Sequence, residues 1–267
     1  EVFFTSCGSE SDNWAIHGAL EWNRRKGKHI VTTAIEHAAV LEPCKALERQ
    51  GYEVTYLQPG RQGSISPEQI ADALRPDTVL VSMMLVNNEL GTILPVKEAA
   101  RAVRQAGCPA LLHCDAVQGF LKTPAPLTSL GADLISVSGH KIGAPKGIGA
   151  LYIKKGVRLR ALLTGGGQEE GLRSGTEATA QIAAFAAAVQ AVSGDKTRLE
   201  RTAALKAYTL ERLKEAVPQL KVISQGDAPH ICAVTLPGYK SEVVVRVLGD
   251  RGICVSSGSA CHRGKPS

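Results

Sequence analysis

Short runs of β-branched and aliphatic residues alternate with stretches of helical periodicity through roughly the first 155 residues. Residues 29–33, 53–57, 78–84, 110–114, 133–138 and 149–153 have the length and composition of strands. Most are apolar on both faces, as strands of a buried parallel sheet are. Between them the helices carry readable punctuation. Ser66, Pro67 and Gln69 occupy the cap, first-turn and capping-box positions of one, and Pro95 opens another that runs to Ala106. Such alternation predicts a doubly wound, mostly parallel α/β sheet with helices on both faces, whose ligands bind at the carboxyl ends of the strands. After Gly175 the texture changes. An Ala-rich helix over 178–192 leads to a charged helix over 196–216 closed by Pro218. Strands over 220–224 and 231–236 and a helix over 241–250 complete the pattern. The expected division is a large domain over 1–180 and a smaller α+β domain over 181–267.

Composition narrows the class. Of 267 residues 44% are hydrophobic but only 4% aromatic, so the core must be aliphatic. The net charge of +6 is spread without long single-sign runs, which argues against nucleic-acid binding. Seven irregularly spaced cysteines point to a reducing, cytoplasmic compartment rather than to a disulfide framework. No stretch approaches the ~18 uninterrupted apolar residues of a membrane span, and the first residues lack the pattern of a signal peptide. The chain starts in a strand and stops in a Gly/Ser loop, so a longer polypeptide is expected, with the N-terminal part of the large domain and the C-terminal part of the small one not included here.

Several polar residues follow the strands directly. Lys141, in SVSGHKIGAPKGIG, is either a solvated loop lysine or an amine placed to bond a carbonyl cofactor. Asp115 is a helix cap or a partner for a protonated pyridine nitrogen, with Gln118 one turn on. Gly8 and Ser9 open a helix whose N-terminus suits a phosphate, although Ser9 or Ser11 also serves as a plain cap. His37 is a capping residue or an imidazole over an aromatic cofactor. Cys261, between small residues and His262-Arg263, has an electropositive setting that favours a thiolate, whereas Cys114 and Cys232 read as core. No spacing supports a metal site, and the glycines of TGGGQEEG do not form a dinucleotide fingerprint.

Taken together, FTSCGSES, AIEHAAVLEP, VNNELG, HCDAVQ, SVSGHKIGAPKGIGALY, GGGQEEGLRSGTE and SSGSAC resemble, in order and spacing, the NifS-like cysteine desulfurases of the class V aminotransferase superfamily. The resemblance implies pyridoxal 5'-phosphate as cofactor and conversion of L-cysteine to L-alanine, with sulfur left as a persulfide on Cys261. It implies that Lys141 bonds the cofactor and moves the Cα proton, that Asp115 pairs with the ring nitrogen, that Gln118 contacts the ring hydroxyl and that His37 stacks on the ring. Gly8, Ser9, Ser138 and His140 match the phosphate cradle. Asn88 matches a residue near the substrate carboxylate, and Thr176 one that reaches the phosphate of the other protomer in a homodimer. The implied partner is a sulfur acceptor, either an iron–sulfur scaffold or a tRNA-thiolation protein. Ser9 stands where Thr is usual, Cys7 where Gly is common, and HRGKPS departs from the family's continuation. A selenocysteine or cysteine/cystine lyase would share Lys141, Asp115 and His37. A truncated, non-catalytic scaffold would keep the fold alone.

Overall fold

The computed structural model describes residues 1–60, 63–223 and 228–258. In chain order the elements are β1 (Val2–Thr5), α1 (Gly8–Asn23), β2 (His29–Thr33), α2 (Ala38–Glu48), β3 (Glu53–Leu57), α3 (Pro67–Ala73), β4 (Thr78–Met84), α4 (Val96–Ala106), β5 (Leu111–Asp115), β6 (Leu134–Ser138) and β7 (Gly149–Ile153). They are followed by α5 (Thr179–Gly194), α6 (Arg198–Ala216), β8 (Lys221–Val222), β9 (Val234–Thr235) and α7 (Ser241–Gly249). The helix signals in the sequence act as expected. Ser66 and Gln69 form a reciprocal capping box on α3, and α4 ends at Gly107 in the left-handed region.

Seven strands form one sheet in the order β1-β7-β6-β5-β4-β2-β3. The five strands β2 to β6 pair in parallel, and β7 runs antiparallel between β6 and β1. Because side chains alternate across a strand, the sheet feeds two cores. On one face Ile30, Leu80, Leu134 and Leu151 pack under α1 and α2 through Trp14, Leu20 and Cys44. On the other, Val31, Val81, Leu112 and Ile135 pack under α3, α4 and α5 through Ile70, Val103 and Phe185. Every residue of β4 and β6 is buried, the reason their sequences show no alternation.

Beyond α5 the picture differs. The strands expected over 220–224 and 231–236 shrink to a two-residue antiparallel ladder, β8 with β9. Cys232, expected in the core, is exposed: the ladder begins only at Val234 and lacks a second layer. Neither α6 nor α7 has a buried residue.

Candidate active site

The carboxyl ends of β4, β5 and β6 and the start of α1 surround a cavity of about 320 Å³. Gly8, Ser9, His37, Asn88, Asp115, Gln118, Ser138, His140 and Lys141, far apart in sequence, all line it. A second cavity of about 450 Å³, between α5 and the β1–β7–β6 side of the sheet, has an almost wholly apolar wall, in which Thr128, Tyr152 and Gln190 are the polar residues and no charged side chain takes part. The chemistry belongs to the smaller one.

Each wall has a local cause. At the start of α1, Cys7 is extended and makes no side-chain cap, leaving the first-turn N–H groups uncapped beside the cavity. An anion is the natural partner for such a terminus. Gly8 is the one residue type that fits there: a Cβ would stand 2.6 Å from Val117 Cγ2 and 3.2 Å from Ser138 Cβ. The cradle is thus closed by contact of backbone with two strand ends. Ser138 ends β6 and shares a hydrogen bond of 2.9 Å with His140 Nδ1. The chain then turns through Gly139–Ile142, which carries Lys141 into the cavity, and leaves by Gly143 at φ 89°. Burial, and next the charge of Lys141, hold His140 below the usual histidine range.

Asp115, the last residue of β5, is 6% exposed. Burial raises its carboxyl to about 6, against the opposing pull of the Val117 N–H, which donates to Oδ1 at 2.8 Å, and of the Lys141 charge. It is therefore a carboxylate that welcomes a cation, such as a protonated ring nitrogen. Gln118 accepts a hydrogen bond from Lys122 Nζ at 3.0 Å, which aims its amide N–H₂ away from that ammonium. His37 is the N-cap of α2, its Nδ1 accepting from the Ala39 N–H at 3.1 Å, and it also lines the cavity. The capping reading of this residue holds. In the turn after β4, Asn87 is tied to the Glu89 and Leu90 N–H groups and to Ile35, while Asn88 next to it lines the cavity. Thr176 stands exposed, outside the cavity wall of its own chain. Cys261 lies outside the described residues.

Sequence reasoning missed other members of the wall. Asp12 lies one helical turn after Gly8, so a period of 3.6 already places it on the cradle's face. It is 1% exposed, and burial together with the charge of Asp115 raises its carboxyl well above the usual range. Glu36, beside His37 but not itself in the wall, is 4% exposed and is pushed by burial up to about 8 while accepting from Thr33 Oγ1 and the Met84 N–H. Ser256 and Gly258, on the stretch leading toward Cys261, also reach the wall. Among the described residues no group of acidic, histidine and cysteine side chains has a metal-binding arrangement. No described helix is long and apolar enough to cross a membrane.

An uncapped helix terminus, a buried carboxylate, an imidazole and a primary amine around one slot fit a phosphate-bearing heteroaromatic aldehyde. Comparisons with known proteins agree. The model of the family described as aminotransferase class-V matches residues 1–267. A cysteine desulfurase of Trichormus variabilis is 42% identical over 99% of this chain and 66% of its own length. Among solved structures, a NifS-like protein superposes with a TM-score of 0.90 at 37% identity, over 96% of this chain and 71% of that one. Another, described as SspA in complex with cysteine, has a TM-score of 0.79 at 33% identity, over 97% of this chain and 72% of that one. The chain spans 65–66% of the length of the curated relatives it matches. Enzymes of this family use pyridoxal 5'-phosphate, the group that the cavity's donors and acceptors fit. The expected sheet and the resemblance read from seven motifs are both borne out, and the chain belongs to the aminotransferase class-V family.

Proposed function

We propose that this chain holds the catalytic machinery of a pyridoxal-phosphate-dependent cysteine desulfurase. The observation that carries the reading is convergence: nine residues named from sequence line one cavity with complementary chemistry at each end. The Gly8–Ser9 terminus with Ser138 and His140 would take the phosphate, Asp115 the ring nitrogen, Gln118 the ring hydroxyl and His37 the ring face. When bound, the cofactor supplies an electron sink that acidifies the Cα–H of an amino acid.

The chain's own groups then divide the work. Lys141 Nζ moves the Cα proton. The buried Asp115 carboxylate keeps a positive ring nitrogen in place. The Cys261 thiolate attacks the sulfur of L-cysteine: the Cβ–S bond breaks, an S–S bond forms, and protons return to carbon to give L-alanine. The products, alanine and a persulfide on Cys261, balance the reactants without an outside oxidant. Asn88 would meet the substrate carboxylate, and Thr176 would serve the phosphate of the other protomer in a homodimer. Residues from about 181 onward would form the smaller domain, which carries the cysteine. A cytoplasmic protein that accepts the sulfur, an iron–sulfur scaffold or tRNA-thiolation protein, completes the reading.

The test is an absorbance spectrum of purified protein with added pyridoxal phosphate, before and after L-cysteine, with alanine and sulfide measured in the same tube under a thiol reductant. A yellow protein whose band shifts and which releases both products in equal amounts is expected. A protein that stays colourless with excess cofactor would overturn the proposal.

A further inference from the structure

Behind the cavity, four buried polar side chains from four different elements stand in line. Ser82 lies on β4, His113 on β5, Ser136 on β6 and Asp12 on α1; the first three are 0% exposed and the last 1%. Their alignment follows from the register, since Ser82 pairs with His113 across β4 and β5, and Ser136 with Asp115 across β5 and β6. His113 Nδ1 is 2.9 Å from Ser82 Oγ, and its Nε2 is 2.9 Å from Ser136 Oγ. Asp12 Oδ1 lies 3.6 Å from the same Nε2 and has no hydrogen-bond partner of its own, while the Ser136 hydroxyl faces its carboxyl.

Proton bookkeeping gives this line a direction. Burial holds the His113 imidazole neutral, down at about 3, so the ring has one N–H. If that proton sat on Nδ1, the ring would donate to Ser82 and Ser136 would donate back to Nε2, leaving no Ser136 hydrogen for the Asp12 carboxyl. With the proton on Nε2, Ser82 donates to Nδ1, Nε2–H donates to Ser136, and the Ser136 hydroxyl hydrogen is left for Asp12. Buried polar groups settle into the arrangement that leaves fewest unpaired.

We propose that His113 is a positioning residue, the hub of a directed chain Ser82–His113–Ser136–Asp12 that locks helix α1 in register against β5 and β6. This inference rests on the cofactor reading given above. Helix α1 carries the phosphate cradle at Gly8 and Ser9, β5 ends in Asp115, and β6 leads through Ser138 to Lys141. The chain therefore sets the distance between the two ends of the cofactor. Apolar packing alone holds a helix on a sheet but tolerates small slides along it, whereas the buried polar contact of Asp12 with Ser136 and His113, themselves fixed by hydrogen bonds between the strands, has a preferred position.

Two measurements test it. In the cofactor-free protein, ¹⁵N imidazole spectra should show His113 neutral with its proton on Nε2 between pH 5.5 and 8, on the order of the range in which free imidazole would titrate. An imidazolium, or a proton on Nδ1, overturns the chain. Next, affinities of wild type and Ser136→Ala are compared for pyridoxal phosphate and for pyridoxal, which lacks the phosphate. Ser136→Ala removes one oxygen and should fold. It should weaken pyridoxal phosphate roughly 5–10-fold and pyridoxal by less than about twofold, because only the phosphate-bearing ligand spans both ends. Equal weakening of both ligands, or of neither, overturns the positioning role. A wild-type protein that binds neither ligand fails at an earlier point, striking the cofactor reading and the positioning role with it.

Discussion

Residues up to Ile153 and residues beyond Asp195 obey different physics. In the first region, strands are buried on both faces and fully buried side chains such as Leu80, Leu112 and Leu134 fill two cores. In the second, Leu205, Tyr208, Val243, Val247 and Ile253 are all exposed, and the only sheet among the described residues is a two-residue ladder. The site follows this contrast. The nine cavity-lining groups that would grip the cofactor sit at or just after strand ends or at helix starts of the first region, where packing fixes their geometry. Cys261 belongs to the stretch after α7, approached by Ser256 and Gly258.

The sharpest way to break that comparison is to remove one chemical group from each side. Lys141→Ala should abolish the visible absorbance and all product formation. Cys261→Ala should keep the colour and lose sulfide release by at least ~100-fold. Full sulfur release from the cysteine variant would show that the second region has no part in the chemistry and would favour a plain lyase.

Stability offers the next contrast. Leu134→Ala, at 0% exposure, should cost about 2–5 kcal/mol in denaturant unfolding, and Val247→Ala, at 43%, under ~0.5 kcal/mol. Similar costs at both positions would mean that the second region has a core of its own.

Asp115→Asn sharpens the electrostatic side. The folded carboxyl stands at about 6, above its usual value near 3.8, so the ionised form is disfavoured by folding. Stability therefore falls as pH rises from about 4 to about 6, and the asparagine variant escapes that loss while still accepting from the Val117 N–H. In the cofactor-free protein it should be more stable than wild type at pH 7, by on the order of 3 kcal/mol, with the gap closing below about pH 4. A gap that did not change with pH would show that burial does not penalise the charge.

The smallest of these effects is steric. Gly8→Ala forces a methyl to within 2.6 Å of Val117 and should weaken pyridoxal phosphate by about 1–3 kcal/mol in a binding titration. Inorganic phosphate should weaken with it, since the cradle itself is displaced.

Strands 29–33, 53–57, 78–84 and 149–153 and the caps at Ser66 and Pro95 were legible because their causes are local: β-branched runs, side-chain oxygens and missing N–H groups act over a few residues. Asp115 and Lys141 were picked out for a related reason, since a polar residue that follows an apolar strand is delivered to the ligand edge of a parallel sheet, whereas Asn88 was named only through the family resemblance. Cys232 was not legible, because whether an apolar run is covered depends on what packs against it. Nor was the role of Asp12, His113 or Ser136: each looks unremarkable in its own stretch of sequence, and the three meet only when α1 crosses two paired strands. The sequence by itself thus determined the alternation of elements and the family, and it named the residues that meet at the strand ends. Strand order, the two cores and the buried line behind the cavity were decided by tertiary structure, since burial and hydrogen-bond partnership belong to pairs of residues dozens of positions apart and to no segment alone.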